Sequence, residues 1–287
     1  MKKHRKLKIV LLVILSIILL SVILIAWDNN RVEVNTYTVE SGMISKKLEG
    51  FKIAQISDLH NTQIGEDNCK IIEKLKEISP DIIAITGDLI DSRNTSIEIA
   101  LSLVKQAQEI APCYYVTGNH EDRVEDYPIL EQGLKALGVT VLRSESTIID
   151  YNGEKINLIG IDDPMFDLPY GDSNEGARMM IYEDLKGLID NNYYNLVLSH
   201  RPEAFEEYTQ LKANLVLCGH AHGGQIRLPF LGGVLAPNQG FFPKYEEGRF
   251  DSGNTTMIVS RGIGNSLFPF RVNNTPEIVV VTLSPEG

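Results

Sequence analysis

The chain has little cysteine: three in 287 residues, Cys69, Cys113 and Cys218, with no C-x-x-C spacing among them. An odd, scattered set of this kind excludes a disulfide framework. It also excludes a closed structural zinc site built on thiolates. Cys113 and Cys218 lie in apolar runs and read as small buried hydrophobes, while Cys69 carries no signal. Low-complexity linkers and fixed-period repeats are missing as well, so neither a repeat array nor a disordered tether is indicated. Histidine is also sparse, at six in all. Five of the six sit in four short polar words, Asp58-Leu59-His60, Gly118-Asn119-His120-Glu121, Ser199-His200-Arg201-Pro202 and Gly219-His220-Ala221-His222.

Basic charge outweighs acidic charge clearly at the start, and beyond it acidic residues lead, 38 against 22. Lys2, Lys3, Arg5, Lys6 and Lys8 precede the 19 positions Ile9 to Trp27, which hold no charge and only Ser16 and Ser21 as polar residues. As a helix this run spans about 28 Å, close to the roughly 30 Å apolar thickness of a bilayer. Its basic leading flank, against Asp28 behind it, places the N-terminus in the cytoplasm and the remainder of the chain outside. A cleaved signal peptide shares the basic start, but the run is longer than the usual roughly 7–15 residue h-region and no A-x-A-like site follows. The expected division is a basic tail 1–8, a transmembrane anchor 9–27, a juxtamembrane segment 28–50 with a strand near Val32–Val39, and one domain from 51 to 287. Without the first 27 residues the formal charge moves from −11 to −16, because five basic and no acidic side chains leave with them. So acidic a domain offers no basic stripe for nucleic acid. Its own field repels anionic phosphates, and any attraction has to come from bound cations and from tethering at the membrane. Oligomeric state leaves no mark in the sequence.

From Phe51 onward, apolar strand-like runs alternate with amphipathic helical ones. Phe51–Ser57, Asp81–Thr86, Cys113–Thr117, Leu196–Leu198 and Leu215–Cys218 read as strands. Cys69–Ile78, Ser96–Ile110 and a segment near Asn174–Asp190 read as helices, with a short helix after Pro202. Asn152-Gly153 between two β-like runs, Thr147–Asp150 and Lys155–Ile161, predicts a two-residue hairpin. Met257–Ser260 and Glu277–Leu283 complete a strand-rich end. Strand-loop-helix order of this kind predicts an α/β fold.

Each polar word, together with Thr86-Gly87-Asp88-Leu89-Ile90-Asp91, directly follows an apolar strand. In α/β sheets the ligand crevice lies at the carboxyl ends of strands, so residues distant in sequence can meet there. Imidazole and carboxylate without thiolate suit Mn, Fe or Zn and do not choose among them. One such word alone is as easily a hydrogen-bonded core histidine as a metal ligand. Five words in one strand-end context point to a hydrolytic metal centre.

The order D-x-H, G-D-x-x-D, G-N-H-[DE], H, G-H-x-H from Asp58 to His222 resembles the calcineurin-like metallophosphoesterase superfamily. Gly160-Ile161-Asp162-Asp163-Pro164, His222-Gly223-Gly224-Gln225-Ile226 and Ser260-Arg261-Gly262-Ile263-Gly264 extend the likeness toward membrane-associated bacterial phosphodiesterases related to enzymes that cleave UDP-diacylglucosamine. The resemblance implies two packed mixed β-sheets flanked by helices and two divalent ions. It implies that Asp58, His60, Asp88 and His222 hold one ion, and that Asp88, Asn119, His200 and His220 hold the other. His120 matches the family's catalytic histidine, which protonates the leaving oxygen or stabilises its charge. The expected activity is phosphodiester or pyrophosphate hydrolysis on a lipid-linked or nucleotide-linked substrate. An extracytoplasmic monoesterase or nucleotide hydrolase is the alternative within the class, and a silent metal-binding membrane module the alternative outside it.

Other residues carry less. Asp91 is expected to orient a ligand or loop, and Arg201 to form either a phosphate fork or a structural salt bridge. Glu121 is a charge beside a ligand; Asp162 and Asp163 follow a strand, where bracing the site is one expectation and no role is assigned. Leu228–Leu231 and Gln239–Pro243, after the last histidine, read as an apolar lip for lipid or as loop packing beneath the sheet edge, and packing is the preferred expectation.

Overall fold

The computed structural model describes residues 2–166, 174–265 and 268–287, with side chains from residue 6 onward. A single long helix, α1 (Lys2–Asp28), leads into an edge strand, β1 (Glu33–Ser41). Then follow β2 (Lys52–Ile56), α2 (Cys69–Ile78), β3 (Ile82–Thr86), α3 (Ile97–Gln108), β4 (Cys113–Val116), α4 (Asn119–Asp122), α5 (Tyr127–Ala136) and β5 (Thr140–Val141). The second half begins with the hairpin β6 (Glu145–Tyr151) and β7 (Glu154–Gly160), then α6 (Asn174–Lys186), β8 (Tyr194–Leu198), α7 (Phe205–Gln210) and β9 (Leu215–Cys218). Two short ladders come next, β10 (Arg227–Leu228) with β11 (Gly232–Gly233) and β12 (Leu235–Ala236) with β13 (Gly240–Phe241). β14 (Gly248–Ser252), β15 (Thr255–Val259) and β16 (Glu277–Pro285) close the chain.

The strands form two six-stranded mixed sheets, ordered β1-β16-β2-β3-β4-β5 and β14-β15-β9-β8-β7-β6. In the first, β2 to β5 run parallel; in the second, β7, β8, β9 and β15 run parallel. Because side chains alternate along a strand, Ile82 and Ala84 of β3 enter the core between the sheets while Ile83 and Ile85 pack under α2, α3 and α5. The same alternation sends Leu215 and Leu217 of β9 between the sheets, and Val216 and Cys218 against α6 and α7. The result is four layers, helix, sheet, sheet and helix, as expected for an α/β chain with two packed sheets.

Asn152 and Gly153 both have positive φ, 54° and 78°, as the expected hairpin turn requires. Cys113 and Cys218 are buried, and burial pushes the Cys113 thiol up to about 12. From Lys6 to Asp28, α1 leaves its apolar face unburied and is long and apolar enough to cross a membrane. The stretch 28–50 differs from a mere juxtamembrane spacer: β1 pairs in parallel with β16 over nine residues, Glu33–Ser41 with Glu277–Pro285. Val39, Ile44 and Leu48 from this stretch are buried in the core between the sheets.

Burying each of these three side chains contributes about 1.5–3 kcal/mol. A chain of residues 51–287 is therefore expected to melt about 10 °C or more below one of residues 28–287, as read by circular dichroism. Equal melting temperatures would show that β1 and its turn add nothing to the fold.

Candidate metal centre

The parallel strands point their carboxyl ends the same way, and the loops leaving them carry the polar words. Ile56 of β2 is followed by Asp58 and His60, Thr86 of β3 by Asp88 and Val116 of β4 by Asn119. From the facing sheet, Leu198 of β8 precedes His200, and Cys218 of β9 precedes His220 and His222. The loops turn at once: Asp58, His60, Asp88, His220 and His222 all take positive φ, between 45° and 68°. Such conformations are uncommon for residues with a Cβ and concentrate at functional sites. Glycine makes the approach possible at two points. A Cβ on Gly118 would strike Asp88 Oδ1, and one on Gly219 would strike Ser57 Oγ and Asp58 Oδ2.

Cross-sheet hydrogen bonds hold the crevice together. Gln55 Nε2 of β2 donates to Cys218 O of β9 at 2.8 Å and to Thr86 Oγ1 at 2.9 Å. Thr86 O lies 2.8 Å from His200 Nδ1. A carbonyl there requires the His200 proton on Nδ1 when the ring is neutral, which leaves its Nε2 lone pair facing inward.

Seven of the eight residues singled out in the sequence fall into close groups, and the eighth, Asn119, lies beside them in the chain between Gly118 and His120. Asp58, His60, Asp88 and His222 form one buried group whose ligand-type atoms lie within 4.8 Å of one another, and Asp88, His200 and His220 form a second by the same measure. Within the first, His60 Nε2 and His222 Nε2 are 3.2 Å apart, His222 Nε2 is 3.4 Å from Asp58 Oδ1, and His60 Nε2 is 3.5 Å from Asp88 Oδ2. Within the second, His200 Nε2 is 3.2 Å from Asp88 Oδ2 and 3.1 Å from His220 Nδ1. Asp88 belongs to both. A further group, His60, Asp91 and His120, shares His60 with the first, but His120 Nδ1 already accepts the Ser92 N–H at 3.1 Å.

These atoms fit divalent cations. Asn119 Oδ1 is buried and accepts no hydrogen bond, an orphan of the kind a cation satisfies. Ring nitrogens face ring nitrogens at 3.1–3.2 Å, a pairing that a proton can serve only on one side. Burial drives His60 down to about 3 and holds His220 and His222 well below the usual imidazole range, so these rings offer lone pairs. Burial also opposes charge on His200, but Asp88, Asp58 and Asp163 outweigh it and hold its pKa up to about 10. Burial lifts Asp58 to about 6. It opposes charge on Asp88 too, but there the surrounding imidazoles outweigh it and keep the carboxyl well below the usual carboxylate range. The donor set is nitrogen and oxygen with no thiolate, which suits Mn, Fe or Zn.

The comparisons with known proteins agree with this geometry. Residues 51–224 match the family model described as calcineurin-like phosphoesterase. The chain belongs to that family. It is 32% identical over 261 residues to YkuE of Bacillus subtilis, named an uncharacterized metallophosphoesterase, covering 89% of this chain and 87% of that protein. It is 28% identical over 242 residues to the phosphodiesterase YaeI of Escherichia coli, covering 81% and 82%. Among solved structures, TT1561 of Thermus thermophilus shares the fold, with TM-score 0.51 and 14% identity over 75% of this chain and 90% of that one.

Around this calcineurin-like crevice lie residues the sequence marked only weakly. Glu121, read as a mere neighbouring charge, is fully buried. Its carboxylate accepts the N–H groups of Asp88 at 2.9 Å and Gly118 at 2.8 Å on one oxygen, and of Leu89 at 2.8 Å and Ile90 at 3.3 Å on the other. Burial, helped by the charge of Asp88, pushes its pKa up to about 8 against the pull of those N–H groups. Arg201 is a structural fork: Nε and Nη2 grip Asp163 at 2.7 and 2.9 Å, and Nη1 lies 3.3 Å from His220 Nε2. Asp162 takes the Thr117 hydroxyl and Arg143. Asp91 holds Arg93 through two side-chain bonds and lies 3.7 Å from His120 Nδ1.

Arg271 escaped the sequence reading altogether. It is 1% exposed, with Nε on Gly264 O at 3.0 Å and Nη2 3.4 Å from His222 Nδ1. Nothing near it in sequence, Phe270-Arg271-Val272, resembles a site motif. Asn274 was missed for the same reason; its Nδ2 donates to His222 O at 2.7 Å.

Glu121→Gln keeps the shape but turns an amide N–H₂ toward backbone donors, leaving buried groups unpaired. The expected loss is roughly 2–4 kcal/mol of unfolding free energy, measured by urea denaturation. A loss of less than about 1 kcal/mol would show that the clamp on the Asp88 turn is not needed.

Proposed function

We propose that the chain is a membrane-anchored phosphodiesterase working with two divalent ions. Asp58, His60, Asp88 and His222 would hold one ion, and Asp88, Asn119, His200 and His220 the other, with Asp88 common to both. The observation that carries this reading is the pair of buried groups sharing Asp88, set at the meeting of strand ends from both sheets. When bound, two such ions supply the Lewis acidity that activates a water for in-line attack and neutralises charge on the phosphoryl oxygens.

The chain's own groups do the rest. His120 N donates to Asp88 Oδ1 at 2.8 Å, which ties the His120 turn to the shared carboxylate. The His120 ring lies edge-on to His60, with centroids 4.5 Å apart. Since Nδ1 accepts from Ser92 N–H, the proton of the neutral ring sits on Nε2. Burial lowers the His120 pKa and favours this neutral form. Nε2–H is then a donor that stabilises the charge developing on the leaving oxygen as the phosphorus–oxygen bond breaks. Similarity to YaeI, a relative named a phosphodiesterase, supports diester over monoester chemistry.

The anchor reading rests on α1, whose residues Lys6–Asp28 are long and apolar enough to cross a membrane, and on the basic residues ahead of it. It puts the N-terminus in the cytoplasm and the domain on the other side.

Full-length protein, stripped of metal and titrated with Mn, Fe or Zn, is expected to hydrolyse bis-p-nitrophenyl phosphate faster than p-nitrophenyl phosphate. His120→Ala should lower kcat by about 10²–10³ with metal content unchanged, whereas Asp88→Asn should lower the bound metal itself, read by elemental analysis. Metal binding without turnover of either ester would overturn the enzymatic reading. For orientation, Cys69 is the exposed thiol of the three. A membrane-impermeant maleimide is expected to label it in intact cells; labelling only after lysis would reverse the orientation.

A further inference from the structure

The end of the membrane helix is tied to the metal centre through one arginine. Asn29, just past α1, caps the helix by donating from Nδ2 to Ile25 O at 2.8 Å, and the same Nδ2 donates to Arg271 O at 2.8 Å. Its Oδ1 accepts Arg271 N–H at 2.7 Å. The Arg271 side chain then reaches Gly264 O and His222 Nδ1. Neighbouring contacts repeat the attachment: Thr275 Oγ1 donates to Asp28 Oδ1 at 2.7 Å, and Lys70 Nζ donates to Asn30 O at 2.6 Å. The helix is therefore docked on the domain beside His222.

That docking sets a depth. A groove of about 460 Å³ lies between the last turns of α1 and the domain, lined by Val22, Ile25, Ala26 and Asn29 on one side and by Asn265, Pro269 and Phe270 on the other. Val22 to Ala26 belong to the uncharged apolar run, so whatever faces them sits at the depth of hydrocarbon. The groove is apolar along its length, and at the domain side Asn265 Oδ1 is buried without a hydrogen-bond partner.

The same edge carries the exposed aromatics. Of eleven large apolar side chains that stand exposed outside α1 among the described residues, seven fall between residues 228 and 270, among them Phe230, Leu231, Phe241, Phe242, Phe268 and Phe270. This corrects the expectation of loop packing: these side chains stand exposed, and Phe230 is wholly so. Gln225 Nε2 donates to Phe268 O at 2.7 Å, and Arg227 N to Val272 O at 3.0 Å, which joins the rim to the Arg271 segment. An exposed cluster of this kind on a monomer marks an interaction surface, and its continuity with a bilayer-crossing helix names the occupant.

We propose that this groove takes an acyl chain of a membrane lipid while the aromatic rim is immersed in the same leaflet, so that the centre works on phosphodiesters carried by lipids. The inference rests on the membrane-anchored phosphodiesterase reading and narrows its substrate class. A domain of formal charge −16 gains nothing from anionic headgroups, so apolar contact holds the rim in place.

The test uses the full chain in liposomes, with Trp27→Phe removing the single tryptophan. Reporters are Phe242→Trp, Phe270→Trp and, as an exposed control away from the rim, Met179→Trp. Lipids brominated on the upper acyl chain are expected to quench the first two at least about threefold more than the third, as for side chains about 5–10 Å into the interface. Quenching no greater than at residue 179 overturns the immersion. Separately, Ala26→Phe fills the groove. The turnover ratio of dioleoyl-glycero-phospho-p-nitrophenol to bis-p-nitrophenyl phosphate is expected to fall about tenfold, a difference of about 1.4 kcal/mol. An unchanged ratio overturns acyl-chain binding in the groove. Quenching at 242 and 270 in a protein that cleaves neither ester would uphold the lipid contact and overturn the phosphodiesterase reading instead.

Discussion

Everything in the crevice is arranged about the carboxylate of Asp88. Its Oδ2 lies 3.2 Å from His200 and 3.5 Å from His60, so it stands between the two facing imidazole pairs. Its Oδ1 accepts His120 N–H, and its own backbone N–H is held by Glu121. A carboxylate this deeply buried is tolerated only with opposite charge or donors around it. The positive φ at Asp88 and the glycine at 118 follow from that demand, because only a tight turn met by a residue without a Cβ brings the group to the junction of both sheets.

The supporting shell follows the same logic of satisfied buried acceptors. Glu121 has four backbone donors, and Asp163 has both oxygens on Arg201. Each bond fixes a loop that leaves a strand end, so the turns carrying Asp88, Asn119, His200 and His220 are held by the fold itself. Rigid placement by hydrogen-bonded neighbours is what allows a metal site to keep its geometry.

The N-terminal helix is less separate from this machinery than a tether would be. With β1 in the sheet and Asn29 bonded to Arg271, α1 and the crevice are parts of one folded unit. A bilayer crossed by α1 would therefore meet a fixed edge of the domain at a fixed distance.

Much of this was legible in the order of residues, because strand patterning and strand-end chemistry are local. Short continuous apolar runs identify β3 and β9, Asn152-Gly153 identifies a hairpin, and an uncharged run of helix length identifies a candidate span. Asp58, His60, Asp88, Asn119, His120, His200, His220 and His222 stand out since each follows such a strand. Glu121 was visible but not its role, since three of its four donors reach it from a loop 31–33 residues earlier. Arg271 and Asn29 were invisible for a stronger reason: they are 242 residues apart in sequence, and each is an ordinary polar residue until folding places them in contact. Strands, span and donor atoms depend on neighbours along the chain, and residue order was enough to specify them. Folding alone settled that two sheets share one carboxylate, that β1 belongs to the core, and that the N-terminal helix docks beside His222. Those outcomes depend on which distant surfaces bury one another, and no local pattern encodes that.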